Sequence, residues 1–207
     1  SYDILRDDRP IATTTSNSVT VPLGGKNRFF VRAVASEHGR LDVLVNNAVM
    51  MVPSAVSAAE KDMGELSREF ETNVVGTWRV TKHFFPLLEV GGHGWVVNVS
   101  SGAGSFWDPD YGLVNFPGLA MGDFGDMPIT AYAITKTALN ALTIKMAKDF
   151  RAGRILVNSV CPDVTASRGP GWGRPVADSA LGVVWAATLP DDGPTGLFFR
   201  DGKQLPW

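Results

Sequence analysis

The sequence predicts an α/β protein built on a doubly wound, mainly parallel sheet that is truncated or remodelled at its N-terminus. Three observations lead there. Strand-length runs rich in Val, Leu and Ile recur at "LDVLVNNA" (41–48), "GWVVNVSS" (94–101) and "RILVNSVCP" (154–162). Segments of helical length and periodicity separate them, and near-continuous apolar strands between helices imply a parallel sheet covered on both faces. Each run also ends in polar residues: Asn46-Asn47, Ser100-Ser101, and Cys161-Pro162-Asp163. Right-handed crossovers bring such ends to one edge, where α/β proteins bind ligands.

The elements follow in order. Residues 1–23 form an atypical N-terminal segment without a glycine, and "SVTVPL" (18–23) within it reads as a short strand. Residues 24–40 read as a helix, because Phe29, Phe30, Ala33 and Val34 fall near helical spacing and Gly39 is a stop. The strand 41–48 follows. Residues 67–88 are a long amphipathic helix with Pro86 near its end. After the strand 94–101 comes a second long helix, 129–150, rich in Ala, Leu and Lys, and then the strand 154–162. A helix over 175–189 and a closing strand over 196–202 complete the chain. With no internal repeat or long linker, 1–207 reads as a single domain.

Composition excludes several classes. A net charge of −2 gives no general attraction to nucleic acid or anionic membranes. One cysteine, Cys161, permits no intrachain disulfide and suits a reducing cytoplasm. His38, His83 and His93 are scattered, so no metal site is expected. No apolar run approaches the about 20 residues of a membrane span, and the N-terminus is too charged for a signal peptide.

"AYAITKTAL" places Tyr132 and Lys136 four residues apart, on one face of a helix. A phenol, with an ordinary pKa of about 10, is a poor acid or base at neutral pH. A neighbouring ammonium favours the phenolate and brings it toward the working range. Ser101, at the end of its strand, is placed to polarise a carbonyl oxygen. Asn73, within "ETNVVG", is a candidate to hold a water linking Lys136 to solvent. Ser100 reads as a hydroxyl satisfying backbone at the strand end, His83 and His93 as surface residues, and Cys161 as packing.

These residues resemble the short-chain dehydrogenase/reductase family. "NNA", "TNVVGT", "VVNVSSGAG", "YAITK" and "VNSVCP" occur in the family's order across roughly residues 40–207, and "LPDDGPTGLFFRDGK" resembles bacterial members that reduce small carbonyl compounds. The resemblance implies a Rossmann-like fold. It also implies that Tyr132 donates or accepts the proton, Lys136 lowers its pKa, Ser101 orients the carbonyl and Asn73 supports the relay. Asn46, Asn47, Ala48, Lys136, Pro162 and Ser167 become the candidate contacts of NADP(H). A homodimer or homotetramer is implied through the helices 67–88 and 129–150.

The sequence departs from the family at the cofactor end. No Thr-Gly-x-x-x-Gly-x-Gly turn is present, Ser18 stands where the family has Asp, Val49 where a glycine follows "NNA", and Asp163 where Pro-Gly is usual. Loss of the family's first strand would leave the strand 41–48 as an open edge. Residues 18–23, Gly24-Gly25, the helix after them and the strand 41–48 form a minimal βαβ unit: residues 18–23 either keep the family's third-strand place or move inward beside 41–47, where Gly24-Gly25 with Lys26 and Arg28 would form a substitute anion site, the alternative being a simple turn with solvated basic residues. The expected enzyme therefore acts on a small carbonyl or hydroxyl compound with NADPH. The alternatives are a cofactor-independent cyclase, isomerase or lyase tailoring a natural product, and a non-catalytic scaffold.

Ser101 and Tyr132 are 31 positions apart, which leaves an aromatic, glycine-containing insertion over 105–127. It reads as a lid. Phe106, Trp107, Tyr111, Asp163 and Val164 are the expected substrate pocket, with Trp172 closing its other side.

Overall fold

The computed structural model describes residues 2–6, 9–14, 29–33, 39–52, 56, 58–113, 129–166 and 173–207. The first three strands are β1 (Tyr2–Arg6), β2 (Arg9–Thr14) and β3 (Phe29–Ala33), an antiparallel sheet in the order β2-β1-β3. This corrects the helix expected over 24–40. Phe29, Val31 and Ala33 also alternate at period two, and a run this short satisfies both periods. The βαβ unit expected over 18–48 therefore holds a strand at Phe29–Ala33 where its helix was expected. Residues 18–23, Gly24-Gly25, Lys26 and Arg28 lie outside the described residues.

The main sheet has five strands in the order β4-β5-β6-β7-β8: Val43–Asn46, Gly94–Val99, Ile155–Val160, Phe198–Arg200 and Lys203–Leu205. The first four run parallel and β8 returns antiparallel. The single closing strand expected over 196–202 is thus a hairpin, turned at Asp201 (φ 50) and Gly202 (φ 71). Both positive φ values fit a two-residue primed turn, for which Asp-Gly is a favoured pair.

The described α-helices are α1 (Met63–Phe70), α2 (Thr77–Val90), α3 (Thr130–Asp149) and α4 (Val176–Ala187); α2, α3 and α4 pack on the sheet and α1 packs against α3. The helix expected over 67–88 begins earlier, where Asp62 caps it by accepting from the Glu65 amide. A π-helical turn, Glu71–Gly76, interrupts it. Successive residues of β5 serve opposite faces. Val96 packs with Leu88, Leu139, Leu142 and Met146 of α2 and α3, whereas Val97 packs with Val160 and Ala186 on the α4 side. That alternation is the doubly wound arrangement.

The register sets a polar row through this core. Asn46 lies opposite Asn98, and Asn98 opposite Ser159. Asn46 Nδ2 donates to Asn98 Oδ1 (2.8 Å) and Thr81 Oγ1 (2.9 Å), Asn98 Nδ2 donates to Thr143 Oγ1 (2.9 Å), and Thr143 and Ser159 share a hydrogen bond of 2.9 Å. The row ties β4, β5 and β6 to both long helices just before the strands end. Among the described residues β4 pairs only with β5, and Val45 is 41% exposed.

Candidate active site

The turn after β5 is built tightly. Ser101 has extended backbone, and its Oγ accepts from the Ala103 amide (3.2 Å), capping the 3₁₀ turn Gly102–Gly104. Gly104 lies against α3 so closely that a Cβ would stand 2.5 Å from Lys136 Cβ. Gly102 is enclosed from the other side, where a Cβ would meet Asp108 Oδ2 at 2.5 Å and Arg200 Nη2 at 2.7 Å. Gly104 is therefore required by close approach to backbone, whereas Gly102 is crowded by side-chain ends.

α3 presents Tyr132 and Lys136 to this turn. Tyr132 is half-buried, and its hydroxyl lies near enough to Ser101 for that side chain to affect its pKa. Burial pushes the phenol up to about 12, against the Ser101 side chain, which pulls it down. This is opposite to the lowering expected from the Tyr–Lys pair. The reason is geometric: Lys136 Nζ donates to the Val99 carbonyl at 2.7 Å and lies 5.6 Å from the centroid of the Tyr132 ring. Lys136 is only 2% exposed, and burial lowers its pKa to about 8.

Asn73 sits inside the π-helical turn and is 1% exposed. Its Oδ1 accepts from the Met50 amide (2.7 Å), while Nδ2 donates to Met50 O (2.8 Å) and Thr135 Oγ1 (2.9 Å). The side chain thus staples the loop after β4 to α3, one residue before Lys136. Both N–H donors of its side chain are engaged, and Oδ1 keeps one lone pair beyond the Met50 bond. π-helical turns inside α-helices are frequent at functional positions.

The remaining expected residues divide. Asn46 is buried in the polar row, whereas Asn47 and Ala48 are exposed at the end of β4, beside an exposed Val49. Pro162, Asp163 and Val164 follow β6 at the same edge. Asp163 takes a left-handed conformation (φ 62), where the family's glycine would be unstrained. Its Oδ1 accepts from the Val164 amide (2.8 Å) and from Tyr111 Oη (2.9 Å), so Tyr111 and Asp163 do come together. Phe106 and Trp107 are 48% and 63% exposed. Residues 114–127 of the insertion, Ser167 and Trp172 lie outside the described residues. Ser100 Oγ is buried without a hydrogen-bond partner, contrary to the backbone bond expected of it. Cys161 is buried, and its Sγ accepts from the Gly102 amide at 3.2 Å.

Sequence reasoning missed Arg200 and Asp108. Arg200, at the end of β7, pairs with Asp108, which is 0% exposed, and donates from Nη1 to Asp110 Oδ2 at 2.7 Å. Its guanidinium lies 4.9 Å from the centroid of the Tyr111 ring. The partners are 92 positions apart, and no local pattern announces such a pair.

A mixed sheet covered on both faces, with these side chains gathered at its carboxyl edge, belongs to the Rossmann-like class. Comparison with known proteins goes one step further. The short chain dehydrogenase family model matches residues 25–112. The chain is 30% identical to (-)-isopiperitenone reductase of Mentha piperita, over 83% of this chain and 74% of that protein. It is 32% identical to oxidoreductase UcpA of Escherichia coli (strain K12), over 85% of this chain but 55% of the relative. An NADPH-bound carbonyl reductase from chicken fatty liver shares the fold, with a TM-score of 0.63, 20% identity and coverage of 81% of this chain and 66% of the other. The chain belongs to the short-chain dehydrogenase/reductase family. No described helix is long and apolar enough to cross a membrane.

Proposed function

We propose that the chain is an oxidoreductase that interconverts a small carbonyl compound and its alcohol, with NADPH as hydride partner. The observation that carries this reading is the contact of Tyr132 with Ser101 at the sheet's carboxyl edge, with Lys136 one helical turn away. Relatives named as reductases and oxidoreductases support redox chemistry over a cyclase, isomerase or lyase.

Bound NADPH supplies the hydride. In this reading the carbonyl oxygen lies between the Ser101 and Tyr132 hydroxyls. Ser101 donates a hydrogen bond that polarises the carbonyl, and Tyr132 delivers the proton as the alkoxide forms. Lys136, held by Val99 O, retains N–H bonds to offer a ribose. Asn73 fixes the helix that carries both residues.

The residues present fit the nicotinamide end of the cofactor. Lys136 has donors to spare, and Asn47, Ala48 and Pro162 stand at the strand ends beside it. The described residues contain no glycine-rich phosphate cradle, so the proposal assigns no residues to the pyrophosphate. Asp163, Val164, Tyr111, Phe106 and Trp107 form the substrate side. An apolar groove between α2 and α3, lined by Val74, Trp78, Ala141, Leu142, Met146 and Phe150, is proposed to seat a second copy, as the family resemblance implies. The lone buried cysteine is compatible with the reducing cytoplasm.

Fluorescence titration with NADPH tests the reading, followed by reduction of a panel of small aldehydes and ketones. Binding is expected, and Tyr132→Phe should lower turnover by about 10²–10⁴-fold while leaving NADPH affinity within a few-fold. Absence of binding at millimolar NADPH overturns the redox reading.

A further inference from the structure

The Ser101 turn is gripped from two sides, and only one grip belongs to the helix carrying Tyr132. Gly104 rests on the backbone of Lys136, while Gly102 rests on the Arg200–Asp108 pair. The pair is deeply placed, with Arg200 11% and Asp108 0% exposed at their side chains. It is also braced. Asp108 Oδ1 accepts from the amides of Asp110 (2.8 Å) and Tyr111 (3.2 Å), and the Asp108 amide donates to Ser105 Oγ (2.8 Å). Ser105 Oγ donates in turn to Pro206 O at 2.8 Å. The segment after Ser101 is thereby tied to the β7–β8 end of the sheet, and the Cys161 thiol lies next to the guanidinium.

We propose that Arg200 and Asp108 are positioning residues: their ion pair walls in Gly102 and so holds Ser101 Oγ against Tyr132. A buried ion pair is weak evidence for stability as such, since apolar replacement often serves as well. What this pair provides is placement. Its oxygen and nitrogen atoms occupy the space a Gly102 side chain would take, so the turn has no slack on that side. Ser101 Oγ is then confined between a helix-borne wall and a sheet-borne wall. The inference rests on the reading of Tyr132 and Ser101 as the reacting pair, but its geometry can be tested without turnover.

The chain holds three tyrosines, Tyr2, Tyr111 and Tyr132, so tyrosine labelled with ¹³C at Cζ gives few resonances, assigned with Tyr132→Phe and Tyr111→Phe. The Tyr132 resonance at neutral pH reports its contact with Ser101. Lys136, 5.6 Å from the ring centroid, and Cys161 are left unchanged. Ser101→Ala is expected to displace that resonance. The neutral double variant Asp108→Asn/Arg200→Met is expected to displace it in the same direction, and to add nothing in the Ser101→Ala background, because contacts acting through one another are not additive. Arg200→Lys, which keeps the charge but loses the planar fork, should give a smaller displacement, and it carries the comparison if the double variant does not fold. A Tyr132 resonance that stays in place in folded clamp variants overturns the proposal, as does full additivity with Ser101→Ala or a Ser101→Ala spectrum identical to wild type. NADPH titration on the same samples reads the functional proposal separately: its failure leaves the resonance comparison intact.

Discussion

Lys136 reaches from the middle of α3 to the carbonyl of Val99, 2.7 Å away, and remains charged below about pH 8 while 2% exposed. Its folded pKa is lowered, so between about 8 and the ordinary 10.5 the unfolded chain binds a proton that the folded chain does not. Stability should therefore rise with pH across that window, and the charged form should cost on the order of 3 kcal/mol below it. Lys136→Met should unfold at higher urea than wild type at pH 7, by about 1–2 kcal/mol once the lost Val99 bond is counted, and the advantage should vanish near pH 10. Tyr132 acts in the opposite direction above pH 10, because its folded pKa is raised. Denaturation at pH 7 and 9.5 checks this, and equal variant and wild-type slopes would falsify it.

The polar row separates structure from cofactor recognition. Asn98 is 0% exposed and bridges Asn46 to Thr143. Asn98→Leu leaves both partners short of a bond and should cost about 1–3 kcal/mol, with NADPH affinity within about twofold. Asn46→Ala should behave likewise, whereas Asn47→Ala should weaken NADPH at little cost to folding. Urea curves paired with NADPH titrations distinguish the two classes. Loss of affinity in Asn46→Ala without loss of stability would return Asn46 to the cofactor contacts first expected of it.

Gly104 should tolerate no side chain. Its neighbours at 2.5 Å are Lys136 C and Cβ, on a buried helix that cannot give way as a flexible side-chain tip would. Gly104→Ala should cost about 1–3 kcal/mol and should also weaken the Ser101–Tyr132 contact, because the turn must lift off α3. Thermal melts read the first effect and the Tyr132 resonance the second. An alanine variant as stable as wild type would show that the turn has more room than its packing implies.

These residues differ in how far the sequence announced them. Tyr132 and Lys136 were legible because four positions on a helix is a fixed geometric relation, and Ser101 because it closes a long apolar strand. The hairpin at Asp201-Gly202 had a local signal that a single closing strand ignored. Phe29–Ala33 carried two periods at once, so local pattern could not choose between helix and strand. Arg200 and Asp108 carried no signal, since an ion pair across 92 positions depends on the assembled sheet. The π-helical turn at Asn73 was hidden for a related reason: its residues read as ordinary helix, and the staple from Asn73 to Met50 appears only once the loop after β4 lies against that turn.

Asp163 poses the last test, because it combines a strained backbone with a fixed carboxylate. At φ 62 a glycine would be unstrained, yet the aspartate uses the position to accept from Tyr111 at 2.9 Å. Burial, then the Asp163 hydrogen bond and charge, push the Tyr111 phenol up to about 12, with Arg200 pulling the other way. A raised tyrosine pKa contributes stability that is present below about pH 10 and lost as pH climbs through the folded value. Asp163→Gly removes the acceptor and the charge and relieves the backbone. Tyr111 should then titrate closer to its ordinary value, while overall stability changes by less than about 1 kcal/mol, since relieved strain offsets a lost hydrogen bond. Absorbance titration of the phenolate in a Tyr2→Phe/Tyr132→Phe background, where Tyr111 is the remaining tyrosine, isolates the signal. If Tyr111 titrates unchanged, burial alone sets its pKa and the Asp163 contact does not persist in solution. If it moves, the first residues of the insertion are anchored by the residue that replaced the family's glycine, and the same variant should alter KM for carbonyl substrates more than kcat.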